Sequence, residues 1–332
     1  MSQLLAKITR GDIAELLLRG FIVVAQGQGE ISHSVGNAQY LTYMRSAAKP
    51  LQTSAALEAG VLDKFDFSDQ ELAIMCGSHS GEDCHVRVLD SIFNKIGCIE
   101  DDLTLGEDLS IDHKLRERRL VEHIAPRRFF NNCSGKHSCM LALCRYFDWD
   151  IAAYQLPEHP VQQLILDTVS GYTGVDKRQI HVGVDGCGVP VFGLPLYNMA
   201  LAYLRLGNSD LLSGARADAA RRICAALAAY PLMIAGHGQF CSELIAVTGG
   251  RIIAKLGADG VMCLTVRDGH LAAAIKIEDG YMPALAPVTM SLLQQLDLLG
   301  SSERAALSAF ARMDNINCQK QVVGQLSAAF SL

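Results

Sequence analysis

Arg45-Ser46-Ala47-Ala48-Lys49-Pro50 sets a serine three residues ahead of a lysine. On a helix those two positions share a face, so the amine can reach the hydroxyl. A serine hydroxyl is a poor nucleophile until a base takes its proton. A lysine amine can be that base when burial or a neighbouring cation lowers its pKa from about 10.4. The backbone N–H groups at the start of the helix would steady an oxyanion developing beside it. The same residues also read more plainly, with Ser46 as an N-cap and Lys49 as a solvated first-turn residue.

Five other stretches carry reactive side chains. In Cys76-Gly-Ser78-His79-Ser80-Gly81, two glycines bracket hydroxyls and a histidine, a composition that lets backbone approach a ligand closely or simply forms a tight loop. Glu82, Asp83 and His85 after it read as first-turn residues of the next helix. Asn131-Asn-Cys133-Ser-Gly-Lys136-His137-Ser-Cys139 gathers metal-capable groups without the C-x-x-C spacing that marks zinc, and it lacks the first glycine of a phosphate-binding loop. Asp185-Gly-Cys187-Gly-Val-Pro190 puts a carboxylate and a thiol in a glycine turn, either to meet a ligand or as an Asx-type turn. Ala235-Gly-His-Gly-Gln239-Phe-Cys241 is again punctuated by glycine. Lys255 is the one charge in Ile252-Ile-Ala-Lys-Leu256, facing either water or a site.

The elements that must position these groups read as a mixed α/β (α+β) fold. Phe21–Val24 is a buried-strand run followed by turns at Gly27–Gly29 and Gly36-Asn37. Helical spacing begins at Ser46 and runs to about residue 65. Further helices are predicted over 69–76, 83–96, 161–172, 196–206 and 215–230, with 110–121 carrying alternating charge as a solvated helical face and 131–146 reading as a loop that feeds a helix. Strands are predicted at 181–185, 243–248, 251–256, 262–267 and 272–276, with Gly249-Gly250, Asp259-Gly260 and Asp268-Gly269 as hairpin turns. Helices at 290–298 and 302–310 close the chain. No repeat or Pro/Gly/Ser linker divides it. The expectation is one unit with a sheet lobe from about 1–45 and 180–332 and a helical lobe over about 46–180.

Composition excludes several classes. The chain has 332 residues, 50% of them hydrophobic and 19% charged, which is too apolar for disorder. A net charge of −6 offers no footprint for nucleic acid. No apolar run approaches the roughly 20 residues of a membrane span. Lys7, Arg10, Asp12 and Glu15 interrupt the N-terminal apolar residues, so no secretory signal is read there and the cytoplasm is the expected compartment. Eleven cysteines, an odd number, suit a reducing compartment better than a disulfide scaffold. Cys98, Cys144, Cys224, Cys263 and Cys318 are expected to be buried thiols.

Taken together and in order, Arg45–Pro50, Cys76–Gly81, Asn131–His137, Asp185–Pro190 and Lys255-Leu-Gly-Ala-Asp259-Gly260 resemble the rhizobial-type (thermolabile) L-asparaginase II family over nearly the whole chain. The resemblance implies a fold similar to serine β-lactamases and penicillin-binding proteins, and hydrolysis of L-asparagine to L-aspartate and ammonia through an acyl-enzyme. It implies two Ser–Lys tandems, Ser46 with Lys49 and Ser78 with Lys255, without saying which serine attacks. It implies zinc held by Cys133, Lys136 and Cys187. Asp185 would contact the substrate's α-amino group, with Arg45, His137, His79 and Ser80 around the substrate. It further implies a homodimer. Gln239 stands where the family pattern has an arginine, and Cys241 is read either as a flank of the metal or as packing. The rival readings are another serine amidohydrolase acting on peptides or lactams, a glutaminase side activity, and a non-catalytic metal or thiol protein.

Overall fold

In the computed structural model, which describes residues 1–332, eleven strands form two sheets. The large sheet contains β1 (Gln3–Arg10), β2 (Ile13–Gln26), β3 (Glu30–Val35), β7 (Ile252–Gly257), β8 (Val261–Val266), β9 (Leu271–Ile277), β10 (Arg312–Ile316) and β11 (Val322–Ala328). The small one contains β4 (Leu41–Tyr43), β5 (His181–Val184) and β6 (Pro190–Pro195), in the order β4-β6-β5. The large sheet is antiparallel in the order β10-β11-β1-β2-β9-β8-β7, with β3 also on β2. Strand β2 explains this branching. Its first half, Ile13–Gly20, pairs with β1, while its apolar second half lies between β3 and β9. β8 and β9 are buried almost throughout, as their unbroken apolar runs require.

Seven helices lie between the strand groups: α1 (Lys49–Glu58), α2 (Val61–Lys64), α3 (Asp69–Met75), α4 (Asp83–Ile96), α5 (His113–Val121), α6 (Ser134–Phe147) and α7 (Pro160–Thr173). α8 (Leu196–Gly207) packs across β2, β8 and β9. α9 (Gly214–Ala229) packs on α1 and α3, and α10 (Phe240–Val247) on β7. α11 (Leu285–Gln295) covers β11 and parts of β1, β8 and β9. α12 (Ser301–Ala306) and α13 (Ser308–Ala311) lead into β10. No helix is long and apolar enough to cross a membrane.

Four local expectations are corrected. Residues 243–248 are not a strand but lie largely in α10, so Gly249 and Gly250 end a helix, both at positive φ, rather than turn a hairpin. The predicted helix from Ser46 is three pieces: a 3₁₀ turn at Arg45–Ala48, then α1, then α2 after left-handed Gly60. Ser46 caps nothing, because α1 has Ala48 at its N-cap and no side-chain cap. Cys318 is exposed, unlike the buried Cys98, Cys144, Cys224 and Cys263, and all eleven thiols are free.

Candidate active site

Three separate elements converge on Ser78. Lys49 opens α1, Ser78 follows α3, and Lys255 stands on β7, the edge strand against which the Arg45–Ala48 turn packs. Lys49 Nζ donates to Ser78 Oγ at 2.8 Å, to Gly77 O at 2.8 Å and to Asn132 O at 3.0 Å. Those acceptors use all three N–H groups of an ammonium. Lys255 Nζ lies 2.9 Å from the same Ser78 Oγ and donates to Leu256 O at 2.8 Å. The 3₁₀ start of α1 has a physical consequence: Lys49 points across the lobe to Ser78, and no hydrogen bond joins it to Ser46. The Ser46 hydroxyl is half-buried and free of hydrogen bonds, so the first tandem is a neighbourhood rather than a bonded pair.

Electrostatics separates the two amines. Lys255 is 1% exposed, so it does not face water from its strand. Burial, followed by repulsion from Lys49, lowers its pKa to about 7. Burial lowers Lys49 too, but Cys133 pulls the other way. The three acceptors around Lys49 suit an ammonium there, which leaves Lys255 as the amine to be uncharged near neutrality, with Ser78 accepting from the first and able to donate to the second. Close packing fixes this geometry. A Cβ on Gly77 would come within 2.3 Å of Met233 O, and one on Gly257 within 2.7 Å of Met44 O.

A second charged cluster adjoins the first. Asp185, in the turn after β5, receives Arg45 Nε at 2.9 Å and Lys136 Nζ at 3.3 Å. Burial opposes its charge, yet Lys136 and Arg45 hold its pKa at about 2. Arg45 reaches it from a left-handed backbone, φ 50, directly before Ser46. Such a conformation costs energy in a non-glycine residue and marks a site that the surrounding structure over-determines. Lys136 Nζ also donates to Cys187 Sγ at 3.1 Å, and Cys187 Sγ lies 3.7 Å from Asp185 Oδ2. The neighbouring Cys133 thiol, helped by Lys136, lowers Cys187 to about 5, while Cys187 and burial raise Cys133. Burial works against the Lys136 charge, but the anionic Cys187 and Asp185 beside it hold the ammonium above its usual value.

This donor set fits a thiophilic cation, because two sulfurs and an amine meet in a buried place. No three His, Cys, Asp and Glu side chains gather to hold a metal by themselves. The third protein ligand would therefore have to be the Lys136 amine, after losing its proton.

The other expected site residues serve mainly to hold loops. His79 Nδ1 accepts the Gly81 N–H, which leaves Nε2–H for Ser134 Oγ at 2.9 Å. Ser80 Oγ donates to Glu82 at 2.6 Å. His79 and Ser80 are thus buried parts of the loop that presents Ser78. His137 Nδ1 lies 2.6 Å from Tyr154 Oη, and its Nε2 is buried without a partner. Gln239 donates to Asp112 at 3.1 Å on an open cleft, away from Asp185. Cys241 is buried behind β7 and takes no part in the Cys133–Cys187 cluster. Arg119 was hidden in a charged, solvated helix pattern. It is buried, stacks 3.6 Å from the Phe130 ring centroid and donates to the carbonyls of Gly81 and Leu109. Only its long-range packing distinguishes it from the neighbouring arginines.

Solved structures with similar backbones include Mglu in its native form, at 14% identity and a TM-score of 0.41 over 85% of this chain and 63% of that one. A Bacillus glutaminase matches at 13% identity and a TM-score of 0.38 over 84% and 91% of the two chains. A putative β-lactamase from Bacteroides dorei matches at 14% and 0.39 over 83% and 93%. The chain thus spans under two thirds of Mglu, and none of these scores reaches 0.5, so the fold rests on its own topology and the function on the site. No curated protein matches the sequence. A sequence model of the family described as L-asparaginase II matches residues 6–328. Ser78, its two lysines and the Asp185 cluster all fall inside that match, and the chain is a member of the L-asparaginase II family of amidohydrolases.

Proposed function

We propose that the protein hydrolyses L-asparagine to L-aspartate and ammonia through a serine acyl-enzyme. The observation that carries this reading is the Lys49–Ser78–Lys255 chain, in which burial and Lys49 lower the Lys255 amine to about 7. Ser46 is the attacking group in this reading, because its hydroxyl is accessible and uncommitted. Lys49 gives a proton to Ser78 while Ser78 passes its own to Lys255. That leaves a neutral Lys49 next to Ser46. Lys49 then takes the Ser46 proton as Oγ bonds to the side-chain amide carbon, and returns it to the departing ammonia. Water repeats the sequence in reverse to release L-aspartate. Asp185 receives the α-ammonium and Arg45 the α-carboxylate of the substrate.

Cys133, Lys136 and Cys187 are the residues that would hold zinc. Bound there, zinc would supply a fixed positive centre that orients Asp185. Asp185 keeps its negative charge throughout, and His137 closes the buried side of the pocket. The assembly expected from the family is a homodimer, which sedimentation velocity would register.

A second reading makes Ser78 the nucleophile, because its hydroxyl already lies against the neutral amine of Lys255. Rapid acid quench followed by peptide mass spectrometry separates the two. An aspartyl adduct on the Ser46 peptide, with ammonia release abolished in Ser46→Ala, supports the first. An adduct on the Ser78 peptide supports the second. Absence of ammonia from L-asparagine, with L-glutamine and D-asparagine in parallel and with or without zinc, overturns both.

A further inference from the structure

Two carboxylates of opposite character hold Arg45. Asp185 is 8% exposed and bonded to Nε, whereas Asp259 is 69% exposed and pairs with Nη1 from the hairpin between β7 and β8. Asp185 is shared with Lys136, so Arg45 retains cationic capacity that Asp259 takes up at the surface. The backbone beneath Asp259 is fixed. Its carbonyl accepts from the buried Lys276 ammonium, which also donates to Ile277 O at 2.7 Å, and the residue sits left-handed at φ 57. Only the carboxylate arm of Asp259 is free to move. It offers Arg45 the same chemical group that the head of an α-amino acid would bring.

We propose that Asp259 is a stand-in ligand, occupying on Arg45 the place of the substrate's α-carboxylate and leaving it when substrate binds. The inference rests on the amino-acid amide reading above and adds a specificity-determining residue to it. An internal competitor lowers apparent affinity by the fraction of molecules in which it is bound. An anion without the adjoining ammonium gains nothing from Asp185 and so displaces Asp259 poorly. A zwitterion gains from Asp185 and Arg45 at once. The device therefore selects for α-amino acids over simple acids.

The test uses Asp259→Asn and Asp259→Gly, because asparagine and glycine both tolerate the left-handed backbone at this position. Both variants should lower KM for L-asparagine roughly two- to fivefold, the range of a partly exposed ion pair. kcat should stay within about twofold. A merely structural role would raise KM or leave it alone, and either result overturns the proposal while the amidohydrolase reading stands. If the wild type releases no ammonia, that reading fails by itself, and calorimetric binding of L-aspartate decides the inference. Tighter binding by both variants supports it. Equal, weaker or absent binding overturns it.

Discussion

Lys49 and Lys255 meet at one hydroxyl: Ser78 Oγ is 2.8 Å from the first amine and 2.9 Å from the second. Two ammonium ions on one oxygen would repel strongly in a buried place, so the arrangement is stable only when one amine is neutral. Burial and Lys49 together assign that role to Lys255. The lone pair required for amide hydrolysis near neutral pH is thus produced by packing two cations together.

The pH profile should show it. Below about 7 Lys255 carries a proton and cannot accept from Ser78. kcat/KM should therefore rise with pH about tenfold per unit on the acid side and level off above about 7. Asp185, held at about 2, stays ionised over this range and adds no second limb. The same shift affects stability. Between about 7 and the unfolded lysine value of about 10.4 the unfolded chain binds the extra proton, so stability contributed by this group increases as pH rises through that window. Steady-state rates and urea melts across pH 5.5 to 10 would measure both, and a flat kcat/KM through about 7 would refute the assignment.

Ser78→Ala breaks the chain without touching Ser46. We expect kcat to fall by about 10²- to 10⁴-fold. The remaining activity should lose its limb at about 7, since Lys255 no longer communicates with Lys49. A variant that kept both the rate and the limb would remove Ser78 from the reaction.

Zinc held by Cys133, Lys136 and Cys187 as proposed would release protons in a countable way. Cys187 is lowered to about 5 and has no proton to give up at pH 7, whereas Cys133 and Lys136 are raised and would each lose one. Calorimetric titration in two buffers of different ionisation enthalpy should report about two protons lost per zinc. Lys136→Met should reduce the count to about one. Unchanged proton release in that variant would exclude the amine as a ligand.

Packing around Ser78 gives a backbone test. In Gly77→Ala the new methyl would lie 2.3 Å from Met233 O, so the loop must shift. Overpacking of this kind costs about 1–3 kcal/mol, and the displaced Ser78 should lose activity as well. Gly106→Ala is the control, because its Cβ would meet nothing within 4 Å. Urea denaturation of the two variants would show whether only the first is destabilised.

The sequence made the chemistry legible before the geometry. Helices α4, α7, α8 and α9 follow clear apolar spacing and lie close to where that spacing puts them. The S-x-x-K spacing at Ser46 and Lys49 is equally clear, but spacing settles only which residues are near. Lys49 has a four-carbon stem, and its partner is decided by where α3 delivers Ser78, 29 residues on. Residues 243–248 mix Leu, Ile and Val in a pattern that suits either a short strand or a buried helix, and packing on β7 selects the helix. β10 is largely polar and β11 is broken by Gly324 and Gln325, and it is pairing of β11 with β1, from the other end of the chain, and of β10 with β11 that makes them strands. Arg119 looked like one more surface charge in α5 because nothing local announces Gly81 or Phe130 as its partners.

The wide separation of the bonded groups also gives this site a place in time. Ser78 and Lys255 are 177 residues apart, on the loop after α3 and on an edge strand that pairs only with β8. Contacts of such long range close late in folding, after local helices have formed. During refolding, recovery of the helical signal should precede ammonia release, and the catalytic assay should report arrival of the last strand rather than the first collapse.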